Sequence, residues 1–347
     1  MTVTTELAPS TVVVPTPIPT ITGWRRLLIR PFVAAVRASL RVSPRPMAYL
    51  IRRQFARGGA LTKAELDRHA PGGITAYRDE RYGEGEAARL DVYVPDHAIA
   101  NDARLPVIVW IHGGGWLGGG KTELSGYMKA LAGHGFVAVA IDYALAPAAR
   151  YPTPVRQAMA ALRYVADEAA RFHVDPNRMF LGGDSAGAQI AGQIAALATN
   201  PDYVRAVGIG STIEADRLRA VALCCGPYDP SLANDHSPFE GFLTTILWSY
   251  SGTRDWRRNK YFATSSIPDN VTGAFPPAFV TVGNADPLAE HSQRLVAALT
   301  AHGVEVETLF FPPDHEPPLA HEYQFRLDGA DAQQALSRIV DFFTRHA

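Results

Sequence analysis

Short apolar runs alternate with amphipathic stretches from residue 88 onward. The runs at 105–112 and 136–143 have the length of strands, and residues 121–134 and 155–172 carry apolar side chains at helical spacings of three and four. Continuous apolar strands that alternate with helices are typical of a parallel sheet covered on both faces. Further strands are predicted at 88–95, 178–184, 219–226, 278–283 and 304–311, and further helices after residue 185, at 288–303 and at 331–346. The pattern predicts an α/β fold with a doubly wound, mostly parallel sheet.

Two stretches depart from this alternation. Residues 24–75 are basic and helix-like, and residues 229–270 are aromatic-rich without a clear period. We expect an extended or disordered arm at 1–23, an N-terminal helical lid element at 24–75, and one main domain at 76–347 with a lid insertion at about 229–270. The basic segment 24–41 has the composition of a helix on an anionic membrane surface, although packing on the protein itself is the favoured reading.

Composition excludes several classes of function. The chain has 347 residues, is 47% hydrophobic and 19% charged, and carries a formal net charge of −1, so no field attracts nucleic acid. We find neither an apolar run of membrane-spanning length nor a signal peptide, and expect a cytoplasmic protein. Cys224 and Cys225 are adjacent, follow an apolar run and are interpreted as buried thiols. No cluster has zinc spacing, so we expect neither a metal nor another cofactor. The oligomeric state stays open.

A serine lies within a glycine frame where a strand meets a helix. Ser185 is the centre of "GDSAG" at 183–187, directly after an apolar run and before a helical pattern. A sharp strand-to-helix turn projects such a serine outward as a nucleophile, and small neighbours let the backbone pass. The alternative is a serine that caps the helix.

A second glycine-rich segment follows the strand predicted at 105–112. His112, three glycines and Trp116 form what we call the glycine loop (residues 112–116). Free amides in such a loop stabilise the negative charge of a tetrahedral intermediate. Phosphate binding is the alternative, but six residues separate Gly113 from Gly120 where a P-loop has four.

An acid and a base follow the serine in chain order. Asp286 lies in the turn "NADPL" after the strand at 278–283, where a helix cap is the simpler reading. His315 and His321 both follow the strand at 304–311, so either satisfies the order Ser, Asp, His. We favour His321, because it lies nearer the last helix and beyond the proline-rich bend.

"HGGG" and "GDSAG", about seventy residues apart, together resemble the hormone-sensitive-lipase-like branch of α/β-hydrolase esterases. "DVYVP", "IDYALAP" and "RYPTP" resemble it too, and the similarity covers about 80–345. The resemblance implies an α/β-hydrolase domain with a nucleophile at Ser185, an acid at Asp286 and a base at His321. It implies that the oxyanion donors are the amides of Gly114, Gly115 and Ala186. In that branch a glycine or another small residue commonly follows the base. In this sequence the residue after His321 is Glu322.

These residues predict a serine carboxylesterase that hydrolyses short- to medium-chain acyl or aryl esters through an acyl-enzyme. Trp116, Asp184 and Trp248 are the expected substrate contacts. The lid insertion adds an apolar lining in which core packing is an equal alternative: Phe239, Phe242, Leu243, Leu247, Trp248 and Tyr250. An amidase or carbamate hydrolase with the same triad, or a non-catalytic ligand-binding protein on this fold, remain alternative readings.

Overall fold

The apolar runs pair into one eight-stranded sheet in the computed structural model, which describes residues 42–233 and 240–347. The strands are β1 (Ile74–Arg81), β2 (Arg89–Pro95), β3 (Leu105–Ile111), β4 (Val137–Ile141), β5 (Val174–Asp184), β6 (Leu218–Cys224), β7 (Ala278–Val282) and β8 (Val306–Phe310). Their order is β1-β2-β4-β3-β5-β6-β7-β8. From β4 to β8 all neighbours are parallel, whereas β2 is antiparallel to both β1 and β4.

Helices connect these strands and cover both faces of the sheet. They are α1 (Arg45–Arg68), α2 (Asp96–Ala100), α3 (Ser125–Gly133), α4 (Thr153–Asp167), α5 (Ala186–Thr199), α6 (Pro201–Val207), α7 (Glu240–Ser251), α8 (Lys260–Ala263), α9 (Ala289–Ala301) and α10 (Ala330–Arg345). Val107, Val109 and Ile111 of β3 join a core with α4, α5 and α9, while Ile108 and Trp110 join a second core with α3 and α10. This confirms the doubly wound, mostly parallel α/β fold.

The edge of the sheet contains a strand that the sequence pattern did not predict. Within 24–75, the described residues form α1 and then begin β1 at Ile74, a strand that the pattern did not predict. β1 pairs only with β2 and is half-exposed along its length, so its sequence lacks a continuous apolar run. Residues 1–41 and 234–239, which include the expected arm, the segment 24–41 and Phe239, lie outside the described residues.

Helix α1 belongs to the same compact unit as the sheet, Pro44–Ala347, and lies against the glycine loop. Arg52 donates from Nε to the carbonyl of Leu117 at 2.7 Å and from Nη2 to that of Ala146 at 2.9 Å. The Phe55 ring packs edge-on against Phe242 of α7, with 5.9 Å between centroids. We call α1 and α7 together the cap. Among the described helices, none has the length and hydrophobicity that crossing a bilayer requires.

A buried ion pair fixes the chain that follows the glycine loop. Lys121 is 3% exposed and donates from Nζ to Asp91 on β2 at 2.7 Å and to Asp79 on β1 at 2.8 Å. Its backbone amide donates to Asp142 at 2.7 Å. Lys121 therefore connects β1, β2 and the segment after β4. This structural role explains the lysine after the glycines without any need for a bound phosphate.

Replacement of Lys121 by methionine should lower the free energy of unfolding by about 3 kcal/mol, because it leaves the fully buried Asp91 carboxylate without its closest cation. The control is Lys63→Met, which removes an exposed pair with Asp67 and should change stability by less than about 0.5 kcal/mol. Denaturant unfolding of both variants measures the difference, and equal losses would contradict this role for Lys121.

Candidate active site

The chemically active side chains all follow strands at one edge of the sheet. His112 comes after β3, Ser185 after β5, Asp286 after β7 and His321 after β8. Since β3, β5, β7 and β8 are parallel, these positions share the carboxyl edge, where ligands bind in open α/β sheets.

Ser185 lies in a strained turn between β5 and α5. Its backbone has φ 50° and ψ −121°, a region that an ordinary serine avoids. A side chain at Gly187 would collide with the carbonyl of Ile111, so the turn requires a glycine at this position. The Ser185 amide donates to the carbonyl of Cys224 at 2.8 Å, which ties the turn to β6. The conformation is that of a nucleophile elbow.

Two hydrogen bonds connect Ser185, His321 and Asp286. His321 Nε2 lies 2.9 Å from Ser185 Oγ, and its Nδ1 lies 2.8 Å from Asp286 Oδ2. The backbone amide of Leu288 donates to Asp286 Oδ1 at 2.8 Å and orients the carboxylate. Because Asp286 accepts from Nδ1–H, Nε2 of the neutral imidazole is the acceptor for the serine hydroxyl proton.

The other histidines considered in the sequence lie elsewhere. His315 Nε2 contacts Asp331 Oδ2 of α10 at 3.2 Å. His291 is buried in α9, where its Nδ1 accepts from the amide of Asp229 at 3.3 Å. The structure thus brings His321, and not His315, to Ser185.

The charge environment of His321 favours protonation. Burial lowers the pKa of the imidazole, but Cys225, the hydrogen bond to Asp286 and the charge of Glu322 outweigh it and raise the pKa of His321 well above its ordinary value. The site therefore stabilises the imidazolium that forms when His321 takes a proton.

Cys225 is a site residue whose position the sequence reading missed. It follows β6 with φ 46°, and its Sγ lies within 4.8 Å of ligand atoms of Asp286 and His321. Burial raises the pKa of the thiol, while the charge of His321 and a hydrogen bond to it oppose that shift. The three side chains are of metal-ligand type, but the bond between Nδ1 and Oδ2 already engages two of them. The position of Cys225 directly after β6 could have indicated that it lies at the site, since Ser185 and Asp286 follow the neighbouring strands β5 and β7.

The glycine loop presents unpaired amides beside Ser185. The amides of Gly114, Gly115 and Ala186 donate no hydrogen bond to any other described residue. Gly114 has φ 100°, which a side chain would disfavour. The amide of Gly113, by contrast, donates to Asp184 Oδ2 at 2.7 Å. Three amides are therefore available to a ligand oxygen, and that of Gly113 is engaged.

His112 holds this loop from within. Its Nδ1 lies 2.8 Å from the carbonyl of Gly113, and its ring stacks on Tyr143 with 4.4 Å between centroids. Burial lowers the pKa of His112, so the ring is neutral and Nδ1–H is the donor. Tyr143 in turn donates from its hydroxyl to the carbonyl of His112 at 3.0 Å.

Asp184 does not have the placement expected of a substrate contact. It is buried, and its Oδ1 accepts from the Trp110 indole at 2.8 Å while its Oδ2 accepts from Gly113. Both oxygens face the scaffold, because the strand-to-helix turn projects Ser185 outward and its neighbour inward.

The two expected tryptophan contacts differ in position. Trp116 is buried at the end of the glycine loop, and its ring stacks on Tyr250 of α7 at 4.3 Å. Trp248 is half-buried, with the Arg254 guanidinium 5.8 Å from its ring centroid, and no described contact joins it to the triad. Trp116 therefore lies at the glycine loop, while Trp248 lies on α7 with Arg254 near its ring.

Phe55 and Ile246 of the cap cover the glycine loop and were not predicted. A Cβ at Gly115 would lie 3.3 Å from Ile246 Cδ1 and 3.5 Å from Phe55 Cε2. Segment 24–75 was helix-like and segment 229–270 had no clear period, so the sequence carried no information on which loop either of them covers.

Known proteins are similar to this chain in sequence. Residues 108–314 match the family model described as alpha/beta hydrolase fold. The carboxylesterase NlhH of Mycobacterium tuberculosis is 34% identical over 240 residues, which cover 67% of this chain and 72% of that protein. The esterase LipI of the same organism is 31% identical over 215 residues, or 60% of this chain and 63% of that one.

Solved structures agree on the fold. Esterase B from Lactobacillus rhamnosis superposes with a TM-score of 0.75 at 22% identity, covering 86% of this chain and 96% of that chain. An esterase from Pyrobaculum calidifontis gives a TM-score of 0.69 at 21% identity, covering 86% and 94%. With the family match and the curated relatives, these findings show that the chain is a carboxylic ester hydrolase and belongs to the α/β-hydrolase fold family, in its hormone-sensitive-lipase-like branch.

Proposed function

We propose that this protein is a serine carboxylesterase that hydrolyses short- to medium-chain acyl esters through an acyl-enzyme. The observation that carries the proposal is the continuous chain of hydrogen bonds from Ser185 Oγ through His321 to Asp286, beside three unpaired amides. Nucleophile, base, orienting acid and oxyanion donors are the parts that acyl transfer requires.

In the first half-reaction, Ser185 Oγ attacks the ester carbonyl carbon and His321 Nε2 takes the hydroxyl proton. The tetrahedral intermediate collapses, the bond to the alcohol oxygen breaks, and the imidazolium returns the proton to the leaving alkoxide. In the second half, water attacks the acyl-enzyme, His321 takes a water proton, and that proton returns to Ser185 Oγ as the carboxylic acid departs.

Negative charge on the carbonyl oxygen is stabilised by the amides of Gly114, Gly115 and Ala186. A single donor of this kind lowers a barrier by about 3 kcal/mol. Asp286 keeps Nδ1 protonated and stabilises the imidazolium, while the hydrogen bonds of His112 and Asp184 fix the loop that carries the amides.

The substrate class follows from the apolar cover over the glycine loop. Phe55, Ile246 and the Trp116–Tyr250 stack place hydrocarbon and aromatic surface close to the amides, which suits a short acyl or aryl group. Two related Salmonella proteins, 26% and 27% identical over 59% of this chain, are named acetyl esterases, which supports a short acyl chain.

Ser185→Ala should reduce ester hydrolysis at least about a thousandfold while the thermal unfolding midpoint changes little, because only the nucleophile is removed. The exposed Ser211→Ala serves as the matched control and should keep full activity. Turnover of p-nitrophenyl butyrate and labelling by an alkyl phosphonate measure both variants. Full turnover by Ser185→Ala would refute the proposed nucleophile.

The pH profile should reveal the base. Since attack needs neutral His321, kcat/KM should be low in acid and rise through an apparent pKa above the ordinary histidine value of about 6.5, the direction set by the surroundings of His321. His321→Ala should remove activity across the range, whereas His315→Ala should leave the profile unchanged. A profile that is flat between pH 5 and 9 is the contrary result.

Phe55→Ala should shift selectivity toward longer chains, because it opens the apolar cover beside Gly115. The ratio of kcat/KM for p-nitrophenyl octanoate to that for the acetate should rise about tenfold, the effect of a few methylene contacts. Tyr49→Ala, on the exposed side of the same helix, should leave the ratio unchanged. Equal ratios in both variants would show that Phe55 does not line the acyl site.

A further inference from the structure

The residue after His321 places a second carboxyl group against the glycine loop. A side chain at Gly113 would collide with Asp184 Oδ2 and lie 2.7 Å from Glu322 Oε1, so both carboxyl oxygens converge beside the same Cα. This proximity lets the two carboxyl groups interact, and a hydrogen bond to Glu322 is among the causes that raise the pKa of Asp184. Glu322 Oε1 also lies 3.9 Å from His321 Nε2, the atom that exchanges protons with Ser185.

A hydrogen bond between two carboxyl groups requires one proton, since two carboxylates repel each other and neither can donate. Burial, and then the negative charge of Glu322, raise the pKa of Asp184 well above its usual range. The Asp184 hydroxyl therefore donates to Glu322. Its carboxyl still accepts from Trp110 and Gly113, so every polar atom of this buried group has a partner.

The backbone of Glu322 is in a conformation that glycine adopts more readily. Its φ is 60° and its ψ 33°, the left-handed region, where a residue with a side chain is strained. A glutamate that keeps this conformation beside the base indicates that its side chain contacts offset the strain.

We propose that Glu322 is a positioning residue, which joins the base to the nucleophile turn and the glycine loop through the one proton that it shares with Asp184. The inference rests on the proposed function and adds to it a pH-dependent element. Glu322 directly follows His321 in the sequence, and Asp184 directly precedes Ser185. Asp184 also accepts a hydrogen bond from the amide of Gly113. One hydrogen bond therefore sets the relative position of three parts of the site.

Several titratable groups face this pair from the elements around it. Burial lowers the pKa of His112 and raises the pKa of Tyr127, Tyr143 and Cys224, so these groups stay neutral near pH 7. Burial, and then the charges of Glu322 and Asp142, raise the pKa of Glu123 to about 7. The groups to consider in a pH profile are His112, Glu123, Tyr127, Asp142, Tyr143, Cys224, Cys225 and His321.

The sign of the pH effect follows from the shared proton. The hydrogen bond is present while Asp184 is protonated and is lost as the pH rises through the raised pKa of Asp184. Two adjacent carboxylates then repel, and His321 moves relative to Ser185. In alkaline solution kcat should therefore fall. On the acid side, the charge of Glu322 helps to raise the pKa of His321.

Glu322→Gln tests this directly, because a glutamine amide can donate to an ionised Asp184 without a shared proton. Its kcat at the pH optimum should stay within about twofold of wild type, the alkaline fall should disappear, and the acid limb should move to lower pH. Glu322→Ala removes the bond and should lower kcat about tenfold with KM changed less than twofold, since a misplaced base slows the chemical step.

Asp314→Asn is the matched carboxyl-to-amide control, since Asp314 is exposed on the loop that carries His321. Glu123→Gln separates the titration of Glu123 from that of the pair, and both controls should keep the alkaline fall. A Glu322→Gln profile that overlays wild type would overturn the inference. If Ser185→Ala kept its activity, the proposed function itself would fail, so the two failures are distinguishable. Thermal unfolding of each variant verifies that it is folded.

Discussion

The site depends on the hydrogen bonds that His321 makes at both of its ring nitrogens. Asp286 accepts from Nδ1 and so leaves Nε2 directed at Ser185 Oγ. Neither bond is local, since Asp286 follows β7, His321 follows β8 and Ser185 follows β5. The parallel strands bring these three residues together, because their carboxyl ends all lie at one edge of the sheet.

The glycine loop is positioned by two buried side chains, those of His112 and Asp184. His112 is neutral and donates to the carbonyl of Gly113, while Asp184 accepts from the amide of the same residue. These bonds engage the first glycine and leave the amides of Gly114 and Gly115 unpaired. Buried hydrogen bonds of this kind give a loop of glycines rigidity, which the proposed oxyanion donors require.

Several residues had a clear signal in the sequence. The strand-turn-helix context marked Ser185, and the apolar alternation predicted the order of most strands and helices, because both depend on neighbours along the chain. Strand β1 and the cover made by Phe55 and Ile246 had no such signal. An edge strand lacks a continuous apolar run, and the partner of a helix face depends on contacts that are distant in sequence.

By itself, the sequence determined the α/β class, the glycine-framed turn at Ser185, the glycine loop and a chain order that admits two histidines, since each depends on local spacing. The tertiary structure decided that His321 lies at Ser185 while His315 pairs with Asp331, and that Asp184 faces inward. It also brought Cys225 and Glu322 close to His321. These outcomes depend on where strands end in space, which only folding establishes.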